Sequence, residues 1–183
     1  MPEIVLPDPS LVVLIGAAGA GKSTFAARHF APDEILSSDR YREAVSGDAS
    51  DQRATRAAFG RLHRDLAARL AARRLTVVDA TNVERFARRA LLARAAAAGV
   101  PAVAIALDLP AATVLARNAR RRPRVVDQAV VVRHLARLRP SLDGIPAPLV
   151  GEGFAAVLIL RDVAAVDAVI VRREPARSLP LRR

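Results

Sequence analysis

A glycine-rich stretch near the amino terminus constrains this chain more than any other part of its sequence. Residues 16–23 read Gly-Ala-Ala-Gly-Ala-Gly-Lys-Ser and fit the pattern G-x-x-x-x-G-K-[ST]. The run at 11–15 before it is short, apolar and rich in valine, as in a buried parallel strand, and 24–30 begin a predicted helix. Glycines let successive N–H groups converge on an anion, and the helix amino terminus adds a positive partial charge. The stretch therefore predicts a phosphate-binding loop between a strand and a helix.

Individual residues of this loop have expected roles in binding a nucleoside triphosphate. Lys22 is expected to bridge the outer phosphates, and the Ser23 hydroxyl is expected to hold Mg²⁺. Lys22 is also the only lysine of the chain, so composition alone would not place a lysine here. The alternative is a glycine-rich turn that binds nothing. The expected nucleotide ligands are Gly16, Gly19, Ala20, Gly21, Lys22, Ser23 and Thr24.

The composition limits the class of protein. At 183 residues the chain has the size of one domain, expected to span 1–183, and its core must consist of Ala, Val and Leu because aromatic residues make up only 3%. It contains no cysteine, no amino-terminal signal pattern and no apolar run near the roughly 20 residues that span a bilayer. We therefore expect a cytoplasmic protein without a membrane partner. The net charge of +11 favours a polyanionic partner only modestly, since arginine is abundant throughout.

Predicted strands and helices alternate along the chain. Strands are predicted at 11–15, 34–37, 75–78, 101–107 and 154–160, with a further edge strand at 168–171. Helices are predicted at 24–30, 40–45, 51–73, 84–98, 110–121 and 127–138, with Asp51 and Gly99 as caps, and 139–150 is predicted to be loop. This alternation predicts an α/β fold of three layers, in which a parallel sheet of about five strands carries helices on both faces. The tail at 172–183 is expected to be loose.

Two aspartates follow predicted strands, at the edge of the sheet where ligands of such folds collect. Asp39 follows the strand at 34–37 and shares a helix face with Arg42, three residues on. A carboxylate there could accept the proton of an acceptor hydroxyl, and the arginine could bind an acceptor phosphate. Asp79 ends the strand at 75–78 and would orient Mg²⁺ or its waters. The alternatives are plain capping by both aspartates and a solvated Arg42.

A cluster of arginines lies near the end of the predicted helix at 110–121. Arg117 and Arg121 are four residues apart, with further arginines at 120, 122 and 124. Like charges this close repel unless an anion lies among them, and such arginines could stabilise the charge that develops in phosphoryl transfer. The alternative is a solvated basic face. The three histidines lack the spacing of metal ligands and are interpreted as surface or core side chains: His29, His63 and His134.

Six segments of the chain, taken in order, match the motifs of one known family. They are the phosphate loop with Thr24, residues 30–39 with Arg42, residues 58–63, residues 76–83, residues 117–124 and residues 152–154. Over 11 to about 175 the chain resembles the kinase domain of bacterial polynucleotide kinase-phosphatase, the end-healing component of an RNA repair system.

The resemblance implies a P-loop phosphotransferase that moves the γ-phosphate of ATP, or of another nucleoside triphosphate, to the 5′-OH end of RNA or DNA with Mg²⁺. It also implies a lid, at about 117–139, over the bound nucleotide. The implied roles are Lys22 and Ser23 as phosphate and Mg²⁺ ligands, Asp39 as general base, Arg42 as the contact to the acceptor phosphate, and Arg117 and Arg121 as the basic pair over the ATP phosphates.

The chain departs from that family in one respect. A metallophosphatase domain usually follows the kinase domain there, whereas this chain stops at Arg183, so an excised domain and a stand-alone kinase both remain open. The expected partners are ATP and a nucleic-acid 5′-OH end, and a homodimer, a phosphatase domain or other end-repair proteins stay open as further partners. Two other functions remain: a P-loop kinase of a small metabolite or sugar nucleotide, and a non-catalytic ATP-binding module.

Overall fold

The computed structural model describes residues 2–46, 52–122 and 125–175. The strands are β1 (Glu3–Asp8), β2 (Leu11–Ile15), β3 (Ile35–Ser37), β4 (Thr76–Asp79), β5 (Ala102–Leu107), β6 (Ala156–Leu160) and β7 (Ile170–Pro175). The centre of the structure is a sheet of five parallel strands in the order β3-β4-β2-β5-β6, beside which β1 and β7 form a separate parallel pair.

Helices cover both faces of the five-stranded sheet. The helices are α1 (Lys22–His29), α2 (Ser38–Ser46), α3 (Gln52–Ala71), α4 (Arg85–Ala97), α5 (Ala111–Ala119), α6 (Gln128–Leu142) and α7 (Val163–Ala168), with 3-10 turns at Pro32–Glu34 and Pro148–Glu152. Side chains of α1, α5 and α7 pack on one face, and those of α3 and α4 pack on the other. Helix α6 contributes to both sides, with Val131 in the first core and Leu138 and Leu142 in the second. The predicted three-layer α/β fold is confirmed.

The apolar runs explain why the central strands form where they do. Every residue of β2 and β5 is buried, as expected for parallel strands that are covered on both sides. On α3, Leu62, Leu66 and Leu70 recur at a spacing of four and are almost fully buried against the sheet. This packing fixes β2 and β4 side by side, so their carboxyl ends open at the same edge.

Helix α6 is longer than the sequence indicated. The segment 139–150 was predicted to be loop because of its prolines, yet α6 continues through Pro140 to Leu142, and a 3-10 turn follows at Pro148–Glu152. The proline removes one backbone donor, but Leu138 and Leu142 are buried on either side of it and Asp143 N–H bonds to the Arg139 carbonyl at 2.9 Å. Burial of the last turn therefore outweighs the lost hydrogen bond.

The pair of β1 and β7 corrects the prediction for both chain ends. No strand was predicted at Glu3–Asp8, and the tail was expected to be loose from Arg172, but residues 172–175 belong to β7. Ile4 and Leu6 alternate with exposed neighbours and enter the core, which holds β1 against the domain. The predicted cap Asp51, Arg124 and residues 176–183 lie outside the described residues.

Helix α7 was also missed. It begins after Asp162, whose carboxylate accepts a hydrogen bond from Ala165 N–H at 2.6 Å. Aspartate is a preferred N-cap residue, so Asp162 is a signal in the sequence for the start of this helix. None of the helices described is both long and apolar enough to cross a membrane.

Candidate active site

A cavity of about 850 Å³ opens at the carboxyl edge of the sheet, beyond β2, β3 and β4. The structure brings most of the predicted site residues to its walls. Gly16 and Ala20 belong to the same loop but do not line it. The predicted residues that do line it are Gly19, Gly21, Lys22, Ser23, Thr24, Asp39, Arg42, Asp79, Arg117 and Arg121.

The glycine-rich loop requires glycine at several positions, and the requirement is clearest at Gly19 and Gly21. Gly19 and Gly21 have φ angles of +88° and +98°, where a side chain is strained. A Cβ at Gly19 would also lie 2.5 Å from the Val114 carbonyl of α5, and one at Gly21 would lie 3.3 Å from Arg117 Nη1. Helix α5 therefore packs directly on the loop, which brings Arg117 beside it.

Lys22 begins α1 and turns its ammonium group back into the loop. Nζ donates to the carbonyls of Gly16 and Ala17, both at 2.9 Å. Burial lowers the pKa of Lys22 to about 8, and the positive charge of Arg121 acts in the same direction, whereas Asp79 and Asp39 favour the ammonium form. A buried ammonium next to backbone N–H groups at a helix amino terminus fits a bound phosphate chain, whose charge would offset the cost of burial.

Asp39 lies in the first turn of α2, directly after β3, with arginines on two sides. Arg42 contacts one carboxylate oxygen, and Arg121 Nη2 lies 3.9 Å from the other. Arg42 also donates to the Ser38 carbonyl at 3.3 Å and to the Ser38 hydroxyl at 3.4 Å. These contacts hold Arg42 beside the carboxylate, which stays 43% exposed toward the cavity.

Asp79 is the last residue of β4 and is almost completely buried at the cavity wall. The loop after it is tied to the phosphate loop: Asn82 Nδ2 donates to the Leu14 carbonyl at 2.8 Å, and Gly16 N–H donates to the Thr81 carbonyl at 3.0 Å. Within the ranges described, no group of three acidic, histidine or cysteine side chains could hold a metal alone. The Asp79 carboxylate and the Ser23 hydroxyl suit Mg²⁺, which in kinases takes further oxygens from substrate phosphates and water.

The last turn of α5 and the residues after it carry the arginine cluster. Helix α5 ends at Ala119, so Arg121 lies beyond the helix that was predicted to contain it. Asn118 is buried, and its side-chain amide makes two hydrogen bonds to the backbone of Val126. Nδ2 donates to the Val126 carbonyl at 2.7 Å, and Oδ1 accepts from the Val126 N–H at 3.2 Å. This turn directs Arg117, Arg120 and Arg121 to the cavity.

His134 of α6 also lines the cavity, which sequence reasoning missed. Burial lowers its pKa, and the positive charges of Lys22, Arg137 and Arg133 act in the same direction against Glu84. Its Nδ1 is buried and has no hydrogen-bond partner among the described residues. His134 follows Val130, another residue that lines the cavity, by four positions on α6. Residues at this spacing lie on the same face of a helix, which is the sequence signal that could have placed His134 at the cavity.

A second missed feature is a buried arginine behind the cavity. Arg88 of α4 is fully buried and forms a bidentate pair with Glu152, with Nε–Oε2 at 2.7 Å and Nη2–Oε1 at 2.6 Å. It also donates to the carbonyls of Asn82 and Val83, at 2.9 and 2.8 Å, and to the Ser141 hydroxyl at 2.7 Å. These bonds join the loop after β4 to the end of α6.

Comparison with known proteins identifies the family. The family model described as the AAA domain matches residues 11–143, more than half of the chain. The chain belongs to this family. No curated protein matches it.

Solved structures with the P-loop kinase fold resemble this chain. A protein in the Pnkp1/Rnl/Hen1 RNA repair complex is 21% identical to this chain, with a TM-score of 0.62. The match covers 73% of this chain but only 45% of the length of that protein. The shikimate kinase of Acinetobacter baumannii in complex with shikimate is 23% identical with a TM-score of 0.52, over 87% of this chain and 88% of its own. A gluconokinase of Sinorhizobium meliloti is 18% identical with a TM-score of 0.51, over 87% and 85%. At these identities the similarity establishes the fold.

Proposed function

We propose that this protein is an ATP- and Mg²⁺-dependent polynucleotide 5′-hydroxyl kinase. The observation that carries the proposal is the position of Asp39: its carboxylate lies between Arg42 and Arg121 and lines the same cavity as Lys22 and Ser23. In this position Asp39 would serve as proton acceptor and Arg42 would bind a phosphate of the acceptor, beside the glycine-rich loop.

The donor side of the cavity would bind the nucleoside triphosphate. The loop at 16–23 and the start of α1 supply backbone N–H groups, and the Lys22 ammonium, released from its two carbonyl partners, would contact the outer phosphates. Ser23 and Asp79 would hold Mg²⁺, which when bound neutralises charge on the phosphate oxygens.

The acceptor side would bind the 5′-OH end. Asp39 accepts the proton of the 5′-hydroxyl, and the oxygen of that hydroxyl forms a bond to the γ-phosphorus. The bond between the γ-phosphorus and the oxygen that bridges it to the β-phosphate breaks, and ADP leaves. The forked guanidinium of Arg42 suits a phosphate of the acceptor chain. Arg117 and Arg121, at the cavity wall, would stabilise charge on the transferred group, a role typically worth about 10³–10⁵ in rate.

A polynucleotide acceptor is favoured by charge. The net charge of the chain is +11, and Arg40 and Arg56 lie exposed on α2 and α3, two helices that contact each other. The structural similarity to a protein of an RNA repair complex agrees with this acceptor. Polyanions release counterions on binding to such surfaces, which makes their affinity depend on salt.

A second candidate is a kinase of a small metabolite. Shikimate kinase and the gluconokinase resemble this chain over 87% of its length, more than the RNA repair protein does. The same Asp39 could accept a proton from a small alcohol. Acceptor length and salt separate the candidates, since turnover of a small alcohol has little reason to depend on either.

Transfer from γ-labelled ATP is the direct test. The acceptors are a 5′-OH oligonucleotide, the same oligonucleotide with a 5′-phosphate, shikimate and gluconate. We expect label only on the 5′-OH oligonucleotide, and its loss in Asp39→Asn but not in Asp143→Asn, an exposed carboxylate outside the cavity. Label on a small alcohol alone would favour the second candidate. Hydrolysis of ATP without any acceptor, or full activity of Asp39→Asn, would refute the mechanism.

A further inference from the structure

Phe86, at the start of α4, is the most exposed aromatic residue of the chain. All six aromatic residues, five Phe and one Tyr, lie within the described ranges. Phe25, Phe30 and Phe154 are buried, Phe59 lines the cavity, and Phe86 is 74% exposed. A single exposed apolar side chain needs no explanation by itself, so the surroundings of this ring decide its meaning.

The surroundings of the ring are strongly basic. Arg85 and Arg89 are exposed and four residues apart on α4, and Arg133 and Arg137 are exposed and four residues apart on α6. An ion pair between Arg137 and Glu84, the residue before α4, joins the two helices. We call the residues Glu84, Arg85, Phe86, Arg89, Arg133 and Arg137 the α4–α6 strip.

The α4–α6 strip lies close along the chain to residues that line the cavity. On the β4 side, Ala80 and Thr81 line the cavity, and α4 begins a few residues later. On the α6 side, Val130 and His134 line it, and the two arginines of the strip are neighbours of His134 along the helix. A chain that leaves the cavity between α4 and α6 would therefore pass the strip.

We propose that the α4–α6 strip binds the single-stranded polynucleotide that follows the 5′ end, with Phe86 stacked on a base and the arginines in contact with phosphates. The proposal rests on the proposed function. Every nucleobase offers a flat face to an aromatic ring, and a basic surface follows the phosphates of a single strand. A single strand would use the ring and the arginines together, whereas an acidic protein would bind mainly through the arginines.

The test compares Phe86→Ala with Phe86→Tyr, which keeps a stacking ring, and with Ile145→Ala, a fully exposed apolar residue elsewhere. The acceptors are a 5′-OH dinucleotide and a 5′-OH single strand of about 12 nucleotides. We measure Kd by fluorescence anisotropy over a salt series, and KM for phosphorylation.

For Phe86→Ala we expect Kd and KM of the longer strand to rise about fivefold or more, with the dinucleotide unaffected. Phe86→Tyr and Ile145→Ala should match the original protein. Replacing Arg85 and Arg89 by alanine should lower the slope of log Kd against log salt by about 1.4. If the original protein is active and Phe86→Ala binds the longer strand as tightly as the original protein does, the proposal for the strip is overturned. This result would be expected if the strip bound an acidic protein instead. An original protein that neither binds nor phosphorylates either acceptor overturns the proposed function as well.

Discussion

Replacing Lys22 by methionine tests the electrostatics of the phosphate-binding loop. In the folded protein the pKa of Lys22 is lowered to about 8, mainly by burial, from an ordinary value of 10.5. The folded state therefore binds fewer protons than the unfolded state between these values, and stability should rise with pH across this window. Below pH 8 the cost of the buried ammonium is fully present, and above 10.5 it is absent.

The size of the effect follows from the two pKa values. A shift of one unit corresponds to about 1.4 kcal/mol, so the ammonium costs about 3 kcal/mol of unfolding free energy near neutral pH. Between pH 7 and 9.5 about 2 kcal/mol of this should return. Lys22 is the only lysine of the chain, and the pKa of Tyr41 is raised to about 12 by burial and by its bond to Asp65. Few other side chains therefore titrate in this window.

Urea unfolding of the original protein and of Lys22→Met, without nucleotide, measures the effect. We expect the stability of the variant relative to the original protein to fall by about 2 kcal/mol from pH 7 to 9.5, because the cost of the buried charge disappears over this range. The two hydrogen bonds that methionine cannot make to Gly16 and Ala17 add a difference that does not depend on pH. Taking the difference cancels the amino-terminal group, which both proteins share. If the difference in unfolding free energy between the two proteins stays constant from pH 7 to 9.5, the reasoning is refuted, because burial then does not lower the pKa of Lys22.

Three further substitutions probe the loop, its support and the arginine cluster. Gly19→Ala should abolish ATP binding in calorimetry and lower stability by about 1–3 kcal/mol, since its Cβ would lie 2.5 Å from a backbone carbonyl of α5, whereas Gly99→Ala meets no atom within 4 Å and should keep full affinity. Arg88→Ala should cost about 3–5 kcal/mol in urea unfolding because it leaves the buried Glu152 with only the more distant Arg85, at 4.0 Å, as a cation, and a cost below 1 kcal/mol would contradict the network. Arg121→Ala should lower kcat about 10³-fold or more, while a change confined to KM would assign Arg121 to substrate binding alone.

The central fold could be predicted because its signals are local. The apolar run at 11–15 coincides with β2, since a strand covered on both faces needs apolar residues at every position. The pattern around Lys22 locates the phosphate loop because positive φ angles and close packing against α5 require glycine there. Asp39 and Asp79 could be placed at one edge because parallel strands share the direction of their carboxyl ends.

The remaining features depend on contacts between distant segments. Pro140 favours a loop locally, and only the burial of Leu138 and Leu142 extends α6 past it. Arg88 stands among several arginines of α4, although its spacing from the buried residues Leu91 and Ala95 does place it on the inner face. Its partner Glu152 is 64 residues away, so the sequence alone does not show that the charge is paired.

The proposed function divides the cavity into a donor half and an acceptor half of different character. Buried groups behind the cavity hold the donor half in place: Gly16 bonds to the loop after β4, Asn82 bonds to β2, and Arg88 bonds to that same loop. The acceptor half, by contrast, consists of partly exposed side chains such as Asp39 and Arg121. Partly exposed side chains can be substituted in evolution without altering the sheet. The same fold accordingly occurs in kinases that are named for different acceptors, such as shikimate kinase and gluconokinase. Substitutions in the donor half should therefore affect stability and nucleotide binding together, whereas those in the acceptor half should affect turnover with little effect on stability.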